Sequence, residues 1–255
     1  MKGTILEKII DAKRARIAAA RRNFDLGGIN RKADPNRFRK ALSDRSKHNI
    51  IAEFKRASPS KGIINDSVGP AQTAANYRDA GAAAISILTE EDFFKGSIND
   101  LLAVRDAVDL PILRKDFIID EFQIHESAAI AVDAILLIVA ALRVDELRHF
   151  CSLSNELGLD ALVEVHDLAE MEVAGEIGAK LIGVNNRNLK TFEVSLDVSR
   201  ELIKYAPPAA ILIAESGISS RDEIAELSDL GYSGFLVGES LMRSDDAASA
   251  LKAWL

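Results

Sequence analysis

Eight short apolar runs rich in β-branched residues alternate with eight amphipathic segments over most of this chain, and that alternation restricts the fold more than any other feature. The runs fall at 49–54, 83–88, 110–114, 133–139, 159–163, 180–184, 210–214 and 232–237. The segments fall at 70–80, 97–108, 120–131, 143–157, 167–177, 195–205, 219–230 and 246–254. Each segment is long enough to be a crossover helix, and strands alternating with such helices run parallel. Asp120-Glu121, Asp145-Glu146 and Ser219-Ser220 mark helix starts, while Gly81, Gly158, Gly178 and Gly231 mark helix ends. A closed barrel or an open doubly wound sheet satisfies this pattern. No Gly-x-Gly-x-x-Gly follows the first run, and polar run ends are spread around the whole set rather than gathered at one switch point, so the expectation is a single (β/α)8 TIM barrel. The chain's 255 residues suit one such barrel, and 48% hydrophobic content with only 5% aromatic suits a parallel sheet under alanine-rich helices. Residues 1–48 form an N-terminal helical extension, with helical patterns at 3–22 and about 35–43 separated by Leu26-Gly27-Gly28; residues 49–255 form the barrel. The extension is expected to close the barrel bottom; a place near the mouth would let it contribute to binding.

Five of the apolar runs end in groups that a buried strand does not need for stability: Glu53-Phe54-Lys55, Lys115, Glu164, Asn185 and Glu215-Ser216. In a barrel, the C-terminal strand ends converge on one mouth, where chemistry sits. Side-chain alternation puts Glu53 and Lys55 on one face and sends Arg114 outward beside an inward Lys115. A lysine at the pocket centre serves either as a Schiff-base nucleophile, which requires a depressed pKa, or as a protonated general acid held by carboxylates. With Glu53, Glu164 and Glu215 converging on it, the acid role is the expectation. Glu164, in an apolar-walled pocket, is expected to have its pKa raised toward the working pH. Asn185 suits a hydroxyl, and Arg187 either a substrate carboxylate or solvent. Gly217 and Gly238, with Glu239 after it, follow the seventh and eighth runs, where backbone N–H groups cradle phosphate in such barrels. The stretch Arg56 to Gly62, with Ser58 and Lys61, leads into a long connection suited to a lid. Phe94 and Phe117 are placed to line the mouth beside an aromatic substrate.

Other classes are set aside. A net charge of −7 and a pI near 5.3 argue against a nucleic-acid surface but allow a small anion in a locally basic pocket. Cys151 is the lone cysteine, read as buried filler in a reducing cytoplasm. The apolar stretch Ala134–Leu142 is too short to cross a bilayer, no secretory signal opens the chain, and Glu7 and Asp11 interrupt the basic helix 2–22. His48, His125, His149 and His166 form no i,i+4 histidine pair with a carboxylate partner and have no cysteine companions, so no metal is expected. The expectation is a cytoplasmic protein acting on a phosphorylated small molecule, without nucleic acid or membrane partners. A monomer is expected, with a weak dimer as the alternative.

Several stretches carry a more specific likeness: Ile51-Ala52-Glu53-Phe54-Lys55-Arg56-Ala57-Ser58-Pro59-Ser60-Lys61-Gly62, Leu113-Arg114-Lys115-Asp116-Phe117-Ile118-Ile119-Asp120, Leu162-Val163-Glu164-Val165-His166, Gly183-Val184-Asn185-Asn186-Arg187-Asn188-Leu189 and Ala214-Glu215-Ser216-Gly217-Ile218. Together they resemble the indole-3-glycerol-phosphate synthase family, the carboxy-lyases of tryptophan biosynthesis. The resemblance implies ring closure of 1-(2-carboxyphenylamino)-1-deoxyribulose 5-phosphate with loss of carbon dioxide and water, without a cofactor. It implies Lys115 as general acid on the ribulose carbonyl oxygen, Glu164 as acid or base in the dehydration, Glu53 as holder of the lysine and a substrate hydroxyl, and Lys55 as anion partner and second acid. Asn185, Glu215 and Ser216 orient the intermediate by the same likeness. Lys55, Ser58 and the backbone near Gly217, Gly238 and Glu239 take the phosphate, and Phe94, Phe117 and Leu136 face the anthranilate ring. Ala131 departs from the family's usual glycine, and a left-handed helix end there would cost alanine roughly 1 kcal/mol. No sequence follows the eighth helix, so no fused phosphoribosylanthranilate isomerase domain is expected. The competing readings are another phosphate-binding barrel, of that isomerase type, or a non-catalytic phosphosugar-binding protein.

Overall fold

The computed structural model describes residues 3–22 and 34–255, and Leu26-Gly27-Gly28 lies outside the described residues. Its strands are β1 (Asn49–Phe54), the short β2 (Ala57–Ser58) and β3 (Gly62–Ile63), then β4 (Ala84–Leu88), β5 (Ile112–Lys115), β6 (Ala134–Ile138), β7 (Asp160–Val165), β8 (Leu181–Asn185), β9 (Ile211–Glu215) and β10 (Gly234–Val237). Its helices are α1 (Ile5–Ala20), α2 (Arg37–Ala41), α3 (Pro70–Ala80), α4 (Ile98–Ala107), α5 (Glu121–Ala129), α6 (Val144–Glu156), α7 (Leu168–Glu176), α8 (Asp197–Leu202), α9 (Arg221–Leu230), α10 (Glu239–Met242) and α11 (Ala247–Trp254). The strands β1 and β4 through β10 pair in parallel and close on themselves when β1 meets β10, a (β/α)8 TIM barrel.

Two differences from the sequence reading have local causes. The long connection after β1 is not open throughout: Ala57–Ser58 pairs antiparallel with Gly62–Ile63, turning on Gly62 at φ 66°. The four-residue α10 precedes α11, because Gly238 ends β10 and the chain coils immediately into a helical turn.

Strand alternation separates the apolar residues into two bodies. Ile50, Ala52, Phe54, Leu212 and Ala214 face the helices and join the large outer cluster. Ile51, Leu113, Leu162 and Ile213 point into the barrel with Leu136, Ile138 and Leu236. Two residues further along the same inward faces stand Glu53, Lys115, Glu164 and Glu215, so the apolar plug below aims the charged groups at the mouth. Arg114 points away from the axis as alternation requires. It does not reach solvent, since Glu126 at 2.8 Å, Asp116 at 3.2 Å and Ser127 at 3.0 Å enclose it between strand and helix.

The N-terminal extension divides between the two ends of the barrel. Phe38 and Leu42, on and after α2, are fully buried among the inward residues at the bottom. Helix α1 goes to the other end. Thr4 and Glu7 form a capping box that starts it, and Ile9, Lys13 and Ile17 make its buried stripe. Expecting one position for the whole extension was therefore too simple, because its two helical segments bury their faces against opposite rims.

Ala131 adopts φ 56° just past α5, where its N–H bonds to the Ala128 carbonyl and that of Val132 to the Ser127 carbonyl. The residue that a glycine would suit thus ends the helix in the left-handed region.

Candidate active site

At the C-terminal mouth lies a cavity of about 850 Å³. Glu53, Lys55, Ser58, Phe94, Lys115, Phe117, Leu136, Glu164, Asn185, Arg187, Glu215, Ser216, Gly217, Gly238 and Glu239 all line it, so the structure brings together every residue the sequence nominated. At the centre, the Lys115 ammonium lies 3.1 Å from Glu164 Oε2 and 3.0 Å from Glu215 Oε2. Two strands round the barrel, Lys55 is 2.9 Å from Glu53, whose other oxygen accepts a 3.0 Å bond from the Ser86 hydroxyl. Two glycines make room for these carboxylates. A Cβ on Gly238 would come within 2.6 Å of Glu53 Oε1, and one on Gly183 would overlap the Glu215 carboxylate. Gly183 escaped the sequence reading, although a lone glycine inside the Leu181–Asn185 run was its signal.

Burial alone would pull the Lys115 pKa down, but Glu164, Glu215 and Glu53 outweigh it and hold the ammonium well above the ordinary lysine range. That removes the condition a Schiff-base nucleophile needs and leaves a protonated acid. The carboxylates are not alike. For Glu215, burial, with the like charges of Glu164 and Glu53, prevails over the attraction of Lys115 and raises the pKa to about 7. For Glu164, burial acts in the same upward direction, yet Lys115 and His166 together drive the pKa below the usual carboxylate range. The expectation of a raised Glu164 is therefore corrected: Glu215 is the carboxyl poised near neutrality, because Glu164 has a second cation beside it.

That cation is His166, one of four histidines the sequence reading set aside as metal ligands. Its Nδ1 is 3.0 Å from Glu170, four residues on, and its Nε2 is 3.3 Å from Glu164. Burial lowers its pKa, but the two carboxylates prevail and raise it to about 10. Asn186 was also missed. Fully enclosed, it donates to the Glu215 and Ser216 carbonyls and accepts from the Ser199 N–H and hydroxyl, tying the β8 end to the β9 end. The neighbouring Asn185 uses its side-chain oxygen on the Arg187 N–H at 3.0 Å, leaving its NH₂ for a ligand.

The rim carries the anion-binding features. Ser216 at φ 65° and Gly217 at φ 80° turn the chain after β9, and a Cβ on Gly217 would come within 2.5 Å of Val194. The Glu239 carboxylate is ringed by Arg187 at 3.4 Å, Lys61 at 3.7 Å and Arg243 at 3.8 Å. Three cations about one carboxylate leave a local positive excess, although the chain as a whole is acidic.

Helix α1 roofs the apolar side. Ile5, Leu6 and Ile9 line the cavity with Phe94, Phe117 and Leu136, and the Phe94 and Phe117 rings lie 6.0 Å apart. Lys13 fixes the helix by buried ion pairs, 2.8 Å to Asp116 and 3.0 Å to Glu91, on the loops after β5 and β4. Glu90 holds the Phe94 loop by accepting from the N–H groups of Asp92, Phe93 and Phe94. Away from the mouth, burial pushes the Cys151 thiol up to about 12, which makes it a poor nucleophile.

A closed parallel barrel with an ammonium among carboxylates at its C-terminal mouth, beside a glycine-turned cationic rim, defines an acid–base (β/α)8 enzyme. The family model described as indole-3-glycerol phosphate synthase matches residues 6–254, and the chain belongs to that family. It is 42% identical to the indole-3-glycerol phosphate synthase of Carboxydothermus hydrogenoformans, over 98% of this chain and 99% of that protein. It is 45% identical to the one from Laribacter hongkongensis, over 97% of both. Among solved structures, KGPDC from Streptococcus mutans aligns with TM-score 0.61 at 14% identity, covering 82% of this chain and 96% of that one. Thiamine phosphate pyrophosphorylase from Pyrococcus furiosus aligns with TM-score 0.59 at 16% identity, covering 82% and 95%. Those two likenesses show the fold. The family match does not favour the isomerase or the non-catalytic reading. No described helix is long and apolar enough to cross a membrane.

Proposed function

We propose that the chain acts as an indole-3-glycerol-phosphate synthase, a carboxy-lyase that closes the indole ring of 1-(2-carboxyphenylamino)-1-deoxyribulose 5-phosphate. The observation that carries this is the Lys115 ammonium held between Glu164 and Glu215 at 3.1 and 3.0 Å in an apolar-walled cavity. Lys115 protonates the ribulose carbonyl oxygen, making its carbon electrophilic toward the ring carbon that bears the carboxylate. Bond formation there interrupts the aromatic ring, and departure of carbon dioxide restores it. A second proton, delivered to the new hydroxyl, releases water. Ionised Glu164 takes the proton lost from the carbon beside nitrogen, completing the indole. Lys55, paired with Glu53, counters substrate negative charge and acts as a second acid, while Glu53, Asn185 and Ser216 orient the hydroxyls.

Phe94, Phe117 and Leu136 enclose the anthranilate ring beneath α1. The phosphate occupies the rim near Ser58, Lys61, Gly217, Gly238 and Glu239, where Arg187 and Arg243 add charge. On this reading the protein is a cytoplasmic monomer, residues 49–255 forming the catalytic domain and 1–48 its extension. Incubating the protein with the carboxyphenylamino-deoxyribulose phosphate and following indole fluorescence tests the proposal. Fluorescence should grow with enzyme-dependent turnover; binding of the phosphosugar without indole formation would overturn it.

A further inference from the structure

Next to the mouth, sharing Asn185 and Arg187 with it, a second cavity of about 530 Å³ is lined by His166 and Glu170 together with Asp167 and Lys190. His166 does not line the catalytic cavity, and Glu164 does not line this one. The two residues face each other as a close ion pair, without a hydrogen bond from Nε2. Two positions apart on the same face at the end of β7, they bring His166 Nε2 to 3.3 Å from Glu164 Oε1. Glu170, on α7, holds the imidazole from the far side: one of its oxygens accepts the His166 backbone N–H at 2.8 Å and lies 3.0 Å from Nδ1. The imidazole therefore has little freedom to turn away.

The remaining charges around Glu164 make this contact consequential. Lys115 on β5 is shared between Glu164 and Glu215 of β9, while Glu53 and Lys55, at the end of β1, are engaged with each other. Arg187, beyond β8, is turned to Glu239, and Asp167 is occupied in capping α7 through the Glu170 N–H. Among the described residues, one ammonium thus serves two buried carboxylates, of which Glu164 has a second cation and Glu215 has none. Beyond that ion pair, neither Glu215 oxygen has a hydrogen-bond partner among the described residues, and the residue is 1% exposed. Two carboxylates that share one cation in a dry site hold a proton between them, and its location follows whichever has fewer positive neighbours.

We propose that His166, clamped by Glu170, is a positioning residue that keeps Glu164 as the charged base of the mouth and leaves the exchangeable proton on Glu215. The catalytic half of this statement rests on the synthase reading; the location of the proton in the ligand-free protein does not. Its consequence is a division of labour between two otherwise similar carboxyl groups, set by a residue that does not line the catalytic cavity.

Two measurements test it. Infrared titration of the ligand-free protein should show a protonated-carboxyl stretch that disappears as the pH rises through neutrality and is missing in Glu215→Gln; its persistence in that variant would overturn the assignment. In turnover, His166→Gln, with His166→Asn as a second variant should the first fold poorly, should move the acidic limb of the kcat–pH profile upward by about one pH unit, with KM within about twofold. A profile that superimposes on the parent's, or a loss equal at every pH, would mean that the imidazole only fills space. If the parent forms no indole product, the synthase reading fails and the infrared titration alone decides where the proton resides.

Discussion

At the bottom of the barrel, Asp133 takes Arg105 at 2.8 Å, Arg37 at 3.4 Å and the Ile112 N–H at 2.8 Å, while the Asn49 amide bonds to the Asp44 and Ser233 carbonyls. At the mouth, Glu215 is equally buried but has, among the described residues, only a shared ammonium and no further hydrogen bond. The bottom pairs most of its polar groups around the Phe38 and Leu42 plug, although Asn49 Oδ1 and Ser233 Oγ are buried there without a hydrogen-bond partner among the described residues. The mouth keeps groups in surplus, of like charge and close together, which is unfavourable for the folded chain and useful for moving protons. A single sheet carries both ends: its strands begin among mostly paired groups, and β1, β5, β7 and β9 finish at the poised cluster.

The sharpest way to break that contrast is at Lys115. Lys115→Ala should lower kcat by about 10²–10⁴ or more, the usual contribution of a positioned acid, while the melting temperature shows that the fold persists. Turnover close to the parent's would remove Lys115 from the mechanism. At the opposite end, Phe38→Ala should cost about 3–5 kcal/mol of stability in urea titration and leave the kcat of the folded protein nearly unchanged, because a fully buried ring is removed far from the mouth. A large kcat loss there would show that the two ends are not separable.

Glu215→Gln gives a pH-dependent contrast. Its carboxyl pKa rises from 4.5 to about 7 on folding, so between those values the folded chain holds a proton that the unfolded chain has released. Stability due to this group therefore falls as pH rises from about 4.5 to 7 and stays low above, a difference on the order of 3 kcal/mol. Melting temperatures of the variant should lack that decline; a parallel decline in both proteins would place the raised group elsewhere. The smallest effect is expected at Ala131, where Ala131→Gly should stabilise by roughly 1 kcal/mol, read as a higher melting temperature with unchanged turnover.

How far the sequence carried the reading varies by element. The runs at 49–54 and 210–214 became Asn49–Phe54 and Ile211–Glu215, because alternation of side chains and the length of a crossover helix are local properties. The same alternation placed Glu53 with Lys55 and turned Lys115 inward. Helix α1 was legible as a helix but not as a roof over the mouth, since Lys13 finds Asp116 and Glu91 only after some eighty to a hundred residues of intervening chain. His166 was unremarkable in sequence and became the neighbour of Glu164 through a bend that also brings Glu170 around.

What the chain's own order of residues determined was the set of strands, the face each presents and the groups delivered to the mouth. What only the tertiary structure decided was the charge each group carries there. Periodicity acts between near neighbours along the chain, whereas the ionisation of a buried carboxylate depends on every charge within a few ångströms, and for Glu164 and Glu215 most of those arrive from other strands.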